Sequence, residues 1–189
     1  MGARLTWLFL CLCYLTGLAG PAFAATLGSS GPTTTGTTEI IYVQGLNARI
    51  SGFQDMSLGT WSGSGPLTAN ENLCIGRSGV GFFGSAGYRV RAQGDGEPGD
   101  PSAFTLSNGT DLIHYNAYFN DQTGLTNRQQ LTAGLTLGGQ TGSGLAFVFN
   151  LIFGCVINNA NLSIEVTETE LQQHIGNFSG TLSLTLIPQ

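Results

Sequence analysis

The C-terminal stretch of the sequence constrains the fold more than any other part of the chain. Between Phe178 and Leu186, apolar residues and glycine alternate with serine and threonine. The apolar face consists of Phe178, Gly180, Leu182, Leu184 and Leu186. A period of two is typical of a β-strand with one buried face. The sequence ends at Gln189, soon after this stretch, and an apolar strand with an unpaired edge is a template for another chain. We therefore expect the partner of this strand to be central to what the protein does.

Composition restricts the class of protein. Hydrophobic residues make up 41% of the 189 residues and charged residues only 9%, with 29 glycines and no lysine. This composition is typical of a β-rich secreted domain built from short strands and many turns, and the length fits one domain. The net charge is −5 and the arginines are scattered, so the sequence offers no basic stripe for nucleic acid. We expect no nucleic-acid partner.

The N-terminal segment has the pattern of a secretory signal peptide over Met1–Ala24. Arg4 precedes an apolar run over Leu5–Leu18, and Ala22-Phe23-Ala24 supplies small residues around a cleavage site. A membrane anchor is the alternative, but the run is short and glycine and proline interrupt it. The sequence therefore predicts export and cleavage after Ala24.

Export leaves two cysteines in the mature chain, Cys74 and Cys155. In an oxidising compartment we expect them to form a disulfide, and two buried free thiols are the alternative. They lie 155 − 74 = 81 positions apart. Closing a loop of that size stabilises a fold by roughly 4–5 kcal/mol in the chain-entropy model.

The segment after the signal peptide is polar and rich in threonine. Ala25–Thr38 contains almost nothing that a core could bury, although threonine has good β-propensity. A short apolar run, Glu39–Val43, follows it. Such a segment is either a disordered end or an arm that becomes a strand on a partner.

Short segments of alternating or apolar character recur from Gly45 onward, separated by turn residues. The predicted strands are Leu46–Ile50, Met56–Trp61, Asn72–Ile75, Tyr88–Ala92, Ala103–Leu106, Leu112–Phe119, Leu145–Ile157 and Leu162–Val166. Asn108-Gly109 predicts a hairpin, because both residues tolerate positive φ. The one helical signal is the capping-box spacing of Thr167 and Glu170. Many short strands with hardly any helix predict a β-sandwich.

Two of these strands allow their faces to be assigned. In the first, Tyr88, Val90 and Ala92 should point inward and the intervening arginines outward. In the second, the inward set is Ile113, Tyr115, Ala117 and Phe119. Both assignments follow from the period of two.

Candidate chemistry is sparse. His114 and His174 are the only histidines, and a strand would place Asp111 and His114 on opposite faces. The acidic loop with Asp95, Glu97 and Asp100 could offer oxygens to Ca²⁺, but it lacks the EF-hand pattern and is more simply a solvated turn. No serine has the glycine spacing of a nucleophile elbow. We therefore predict no enzyme activity, no metal site and no cofactor.

Several motifs, in a fixed order, resemble those of a known family. They are Ser57-Leu58-Gly59-Thr60-Trp61, Cys74, Tyr88-Arg89-Val90, Ala103 to Gly109, Ile113-His114-Tyr115, Leu131 to Gly134, Cys155, Asn159 to Leu162 and the alternating C-terminal strand. This order is similar to that of the spore coat protein U-like domain, the subunit family of archaic chaperone–usher pili in Gram-negative bacteria. The resemblance covers about Gly45 to Gln189.

The resemblance implies an all-β fold, an incomplete immunoglobulin-like β-sandwich with an open groove beside the C-terminal strand. A donor strand from another protein would complete it. The implied parts are a signal peptide over 1–24, a donor-strand arm over 25–44 and a pilin-like sandwich over 45–189. The groove residues would be Phe178, Leu182, Leu184 and Leu186. The apolar residues of the arm would be Ile40, Ile41, Tyr42 and Val43.

The implied function is that of a structural pilus subunit, which is secreted through the periplasm to the cell surface and supports adhesion or biofilm formation. The implied partners are a periplasmic chaperone, an outer-membrane usher and other pilus subunits. The arm has fewer alternating hydrophobic residues than that of a major pilin, so a minor or adaptor position remains open. A surface-recognition module of an adhesin or a coat is the alternative function.

Overall fold

The structure, a computed structural model, describes residues 34–40 and 47–189. The predicted signal peptide and three of the predicted arm residues, Ile41, Tyr42 and Val43, lie outside these ranges. The described elements are β1 (Thr34–Ile40), β2 (Ala48–Ser51), β3 (Leu67–Arg77), β4 (Ser85–Gln93), β5 (Thr105–Ser107), β6 (Leu112–His114), β7 (Asn116–Asn120), β8 (Gln129–Gln130), β9 (Thr136–Ser143), α1 (Gly144–Phe153), β10 (Ala160–Val166), α2 (Glu168–Gln173) and β11 (Gly180–Pro188).

The strands form two main sheets and a small hairpin. One sheet has the order β1-β11-β4-β9, the other has the order β2-β3-β10-β7-β8, and β5 pairs with β6. Every pair among the described strands is antiparallel except β1–β11, which is parallel. The expected all-β class is confirmed. No helix in the described ranges is long and apolar enough to cross a membrane.

The core contains apolar side chains from both sheets. Its fully buried members include Leu73, Ile75, Tyr88, Val90, Phe119, Phe147, Leu162, Ile164, Leu182 and Leu184. Tyr88 contacts Phe119 and Phe147 edge to face, at ring-centroid distances of 6.3 and 5.9 Å. This cluster joins strands of both sheets and α1, so the core is continuous.

The predicted strand faces are confirmed. Tyr88, Val90 and Ala92 are buried, whereas Arg89 and Arg91 are exposed. The four inward residues of the second strand are also buried, although a break at Tyr115 divides that strand into β6 and β7. The hairpin predicted at Asn108-Gly109 joins β5 to β6, and Gly109 has φ 94°.

One strand prediction was wrong. The apolar run Leu145–Ile157 begins with the helix α1 rather than with a strand. Ala146, Phe147 and Asn150 are buried at a helical spacing, and Asn150 Nδ2 donates to the carbonyls of Ile75 and Ile157 at 3.1 and 2.7 Å. The first part of the run therefore forms a helix with one buried side, whereas a strand this apolar would have both faces buried.

A second strand prediction also fails for most of its length. In Met56–Trp61 only Met56 takes part in a β-bridge, and the rest is loop. Gly59 has φ 75°, a left-handed conformation that breaks an extended strand. The loop is closed further along, where Trp61 Nε1 donates to the carbonyl of Gly65 at 2.8 Å.

The helix signal and the disulfide prediction are both confirmed. Thr167 caps α2, since its side-chain oxygen accepts a hydrogen bond from the backbone N–H of Glu170 at 3.4 Å. Cys74 and Cys155 form a disulfide that joins β3 to the segment after α1. The disulfide therefore helps to hold α1 against the sheet that contains β3.

Candidate strand-docking site

The candidate site is the edge of β11, the strand that the sequence analysis singled out. β11 lies between two neighbours in its sheet. On one side it pairs antiparallel with β4, where Leu184 lies opposite Ala92. On the other side it pairs with β1, which comes from the segment predicted to be an arm. This second side is the edge beside which the family resemblance predicts a donor strand.

The predicted groove leucines lie beneath this edge. Leu182, Leu184 and Leu186 are at most 2% exposed, and all three belong to the main core. Burying one leucine side chain stabilises a fold by about 1.5–3 kcal/mol. The side chains of these leucines therefore hold β11 in the core, while the backbone of β11 on this side pairs with β1.

Phe178 lies just before β11 rather than within it. It is half-buried, packs against the core and contacts the His174 ring edge to face, at 6.1 Å between centroids. A cavity of about 160 Å³ opens here, at the start of β11. Its lining includes Trp61, Leu106, Ile113, Leu171, His174 and Phe178.

The pairing between β1 and β11 is continuous. It runs from Thr34, opposite Gly180, to Ile40, opposite Leu186, over seven consecutive residue pairs. Ile40 is the one residue of the predicted apolar arm set that the structure describes, and it lies at the far end of this pairing. β1 also comes close to β2, a strand of the other sheet. The edge of β11 is thus occupied by this chain's own residues 34–40.

The beginning of β11 is fixed by contacts with β5 and with the loop that precedes β5. The backbone N–H of Thr181 donates to Asp95 Oδ2 at 2.7 Å, and Ser107 and Ser179 exchange backbone hydrogen bonds of 2.8 and 3.0 Å. Gly180 has no room for a side chain, because a Cβ there would lie 2.7 Å from the Thr105 carbonyl oxygen. These contacts therefore hold the beginning of β11 against β5.

A buried arginine fixes the other end of β11. Arg77, at the end of β3, is only 2% exposed. Its Nη2 donates to the backbone oxygen of Gln189 at 2.8 Å, its Nη1 donates to the carbonyl of Gly87, and its Nε donates to that of Ser78 at 3.3 Å. Burial lowers the pKa of the guanidinium from its ordinary value.

Arg77 lies on β3 of one sheet and donates to Gly87 in β4 of the other sheet and to Gln189 after β11, so it joins the two sheets at the end of β11. Its burial is not evident from the sequence, because arginine is usually a surface residue. Its place in the unbroken buried run Leu73 to Arg77 becomes visible only when the strand is folded.

The histidines form a small surface cluster with two glutamates. His114 Nε2 lies 2.9 Å from Glu97 Oε2, and both His114 Nδ1 and His174 Nε2 approach Glu170 Oε2, at 3.7 and 4.0 Å. The acidic-loop oxygens have other partners, since Asp95 accepts from Thr181 and Asp100 Oδ1 accepts from the N–H of Ser102 at 2.9 Å. Within the described ranges, no group of three or more candidate ligands could hold a metal ion.

Comparisons with known proteins give little similarity. No protein-family model matches the chain, and no curated protein matches it. Among solved structures, a chaperone–tip adhesin complex of CFA/I fimbriae biogenesis is 16% identical with a TM-score of 0.46, and the match covers 76% of this chain and 42% of that one. CfaE, the adhesive subunit of the CFA/I fimbria of enterotoxigenic Escherichia coli, is 11% identical with a TM-score of 0.32. This match covers 83% of this chain and 46% of CfaE. The chain therefore spans less than half the length of either structure.

Proposed function

We propose that the protein is a structural subunit of a surface pilus, assembled through the chaperone–usher pathway by strand exchange at the β11 edge. The observation that carries the proposal is that this edge binds an extended segment, Thr34–Ile40, through seven consecutive backbone pairs. That segment precedes the predicted sandwich of 45–189. Main-chain hydrogen bonds on an open sheet edge give an affinity that does not depend on particular side chains.

The same edge could receive the equivalent segment of a second copy. One subunit would then offer its arm to the β11 edge of the next, and the contact would repeat head to tail. Such a contact does not close on itself and generates a fibre. In this proposal the donor arm spans 25–44 and includes Ile40, Ile41, Tyr42 and Val43, and the groove residues are Phe178, Leu182, Leu184 and Leu186.

The partners that follow from this proposal act in sequence. A periplasmic chaperone covers the β11 edge after export, because an uncovered apolar edge promotes aggregation. An outer-membrane usher then brings subunits together, and the next subunit's arm takes the place of the chaperone. The product lies on the cell surface, where it supports adhesion or biofilm formation.

The test compares the mature chain with a variant that begins at Gly45. The mature chain is expected to form fibres visible by electron microscopy, whereas the shortened chain is not. A synthetic peptide of residues 25–44 should bind the shortened chain one to one and raise its melting temperature, and a scrambled peptide should do neither. Polymers from the shortened chain as abundant as those from the mature chain would contradict the proposal.

A second candidate function, a surface-recognition module of an adhesin or coat, is favoured by an exposed apolar patch. Phe83 is fully exposed, and Ile152 and Phe153 are 62% and 67% exposed. Phe149 links Phe82 to Phe153 through ring contacts of 6.2 and 5.8 Å. Exposed apolar patches of this kind often mark interaction sites. Replacing Phe82 and Phe83 by serine should reduce adsorption to an apolar surface if recognition is the function, and should leave fibre formation unchanged.

A further inference from the structure

We propose that the free subunit closes its own groove, with residues 34–40 held on the β11 edge of the same chain, and that assembly requires this strand to leave. The inference rests on the proposed function and adds a resting state to it. In that state the donor segment and the acceptor edge of one molecule satisfy each other. The subunit is then a closed monomer rather than an open template.

The first support is the extent of the pairing. β1 covers β11 from Gly180 to Leu186, and β11 itself ends at Pro188. Nearly the whole edge is therefore satisfied within one molecule. An unpaired edge strand exposes a row of backbone donors and acceptors that another chain can use. With β1 in place, that row is no longer available on β11.

The second support is the position of the chain ends that must be joined. Ile40 lies opposite Leu186, near the end of β11. Ala48, in the next described strand, lies opposite Arg77, and Arg77 Nη2 binds the backbone oxygen of Gln189. The end of β1 and the start of β2 therefore both lie at the C-terminal end of β11. Only residues 41–46 separate Ile40 from Asn47.

The short connection between β1 and β2 accounts for the parallel direction of β1 beside β11. If β1 ran antiparallel in the same molecule, Ile40 would lie opposite Gly180, six residues back along β11. At about 3.3 Å a residue, that adds roughly 20 Å to the distance to β2. Six joining residues span at most about 20–25 Å when fully extended. The short connection therefore favours the parallel strand in one molecule, whereas a strand from a second molecule is not restricted in this way.

The third support is the composition of the segment. Residues 34–40 read Thr-Thr-Gly-Thr-Thr-Glu-Ile and contain one aliphatic residue. Such a composition offers little apolar surface, so the strand relies on backbone hydrogen bonds, each of which adds only about 0.5–1.5 kcal/mol. The short connection compensates, since a tethered segment is present at a millimolar effective concentration or higher. The closed state is thus favoured in the free subunit and yet can be displaced by a strand that buries more apolar surface on the same edge.

Engineered cysteine pairs in the mature chain distinguish the two directions. Thr35 lies opposite Thr181 in the observed register. Thr35→Cys with Thr181→Cys should therefore form a disulfide within one chain. In an antiparallel strand centred on the same partners, Thr37 and Ser183, Thr35 would lie opposite Thr185. Thr35→Cys with Thr185→Cys is accordingly the matched control and should not cross-link. Peptide mapping by mass spectrometry identifies each bond beside the native disulfide.

Each outcome is decisive. An intrachain bond in the first pair alone, with polymerisation lost until mild reduction restores it, supports the closed state. A bond in the first pair that forms only between chains overturns closure within one molecule but agrees with strand exchange. An intrachain bond in the control pair overturns the parallel strand. If neither pair forms a bond and the unmodified mature chain makes no fibres, both the closed state and the proposed function fail.

Discussion

Thr38 of β1 lies opposite Leu184 of β11, next to the central pair of the parallel strands that complete the β11 edge. Leu184 has no exposed surface and also lies opposite Ala92 of β4. The residue that the sequence assigned to the floor of a groove is therefore also a member of the main core. A substitution there affects both the stability of the sandwich and the strand that pairs with its edge.

Replacing Leu184 by aspartate should destabilise the subunit by at least about 3 kcal/mol, since an unpaired carboxylate would be buried among apolar side chains. Ser183→Asp is the matched control. Ser183 is only half-buried and is expected to change the unfolding free energy by less than about 1 kcal/mol. Chemical denaturation of both variants measures the difference. Equal stability of the two would mean that Leu184 is not a core residue.

The contact between α1 and β3 gives a second prediction. A Cβ on Gly76 would collide with the backbone of Leu151 in α1, so Gly76→Ala should force the helix away from the strand. We expect a loss of about 1–3 kcal/mol, the usual effect of overpacking. Gly138→Ala is the control, because nothing lies within 4 Å of a Cβ there.

Thermal unfolding of both glycine variants tests this contact. A neutral Gly76→Ala would mean that α1 does not pack on β3 as described. The same comparison tests the corrected assignment of Leu145–Ile157, since the strand predicted there would not place Leu151 on Gly76.

The sequence predicted the strands with a strict period of two and failed where a run was uniformly apolar. Tyr88, Val90 and Ala92 could be placed inside because arginines separate them. The run that starts at Leu145 has no such polar marker, and a short apolar run is consistent with either a strand or a helix. Its burial at Ala146, Phe147 and Asn150 is helical, but periodicity in so short a segment was too weak to decide.

The candidate site was predictable in part. The alternation in β11 predicted that Leu182, Leu184 and Leu186 share a face, and their burial confirms it. It could not predict which strand pairs with the free edge of β11. Backbone hydrogen bonds require no particular side-chain pattern, and the threonine-rich segment Thr34–Ile40 shows none. Arg77 was invisible for a different reason. Its burial depends on carbonyl groups that lie 10 and 112 positions away in the sequence.

The three hydrogen bonds of Arg77 give a third prediction. Arg77→Met keeps most of the volume but leaves the carbonyls of Gly87 and Gln189 without this donor. The Gly87 carbonyl still accepts from the N–H of Gln189, so the loss comes from the charged donor itself, whose hydrogen bonds each contribute about 1.5–3 kcal/mol. We expect a loss of that size and faster amide hydrogen exchange at the end of β11, near Ile187. Arg91→Met on the exposed face of β4 is the control and should change stability little. Unchanged exchange near Ile187 in Arg77→Met would contradict the role of Arg77 in holding this end of the strand.

The pH dependence of stability should carry the signature of Glu71 on β3. Burial raises the pKa of this carboxyl from 4.5 to about 7, the charge of Asp55 adds to the effect, and the N–H of Gln54, which donates to Oε2 at 2.8 Å, opposes it. The other oxygen, Oε1, is buried and has no hydrogen-bond partner in the described ranges. The folded state therefore binds the Glu71 proton more tightly than the unfolded state does.

The sign of the effect follows from proton linkage. Well below pH 4.5 the carboxyl is protonated in both states and has no effect on stability. Between pH 4.5 and about 7 the folded state holds more protons, so the free energy of unfolding falls as the pH rises, and it levels off above that range. Because the side chain is partly exposed, solvent screening reduces the total loss, which we expect to be about 1–2 kcal/mol.

Glu71→Gln isolates this contribution, since it keeps the shape of the side chain and removes the charge. The variant should be more stable than the parent at pH 8, should equal it within error near pH 4, and should lose the decline between those values. Denaturant unfolding of both proteins across pH 4–8 measures the difference at each pH. Glu168→Gln on α2, whose carboxylate accepts from Gln172 Nε2 at 3.0 Å in an exposed pair, is the control and should reproduce the parent's profile. If the free energies of unfolding of the parent and of Glu71→Gln changed with pH in the same way, Glu71 would ionise as readily in the folded protein as in the unfolded one. The assignment of a raised pKa to its burial would then be wrong.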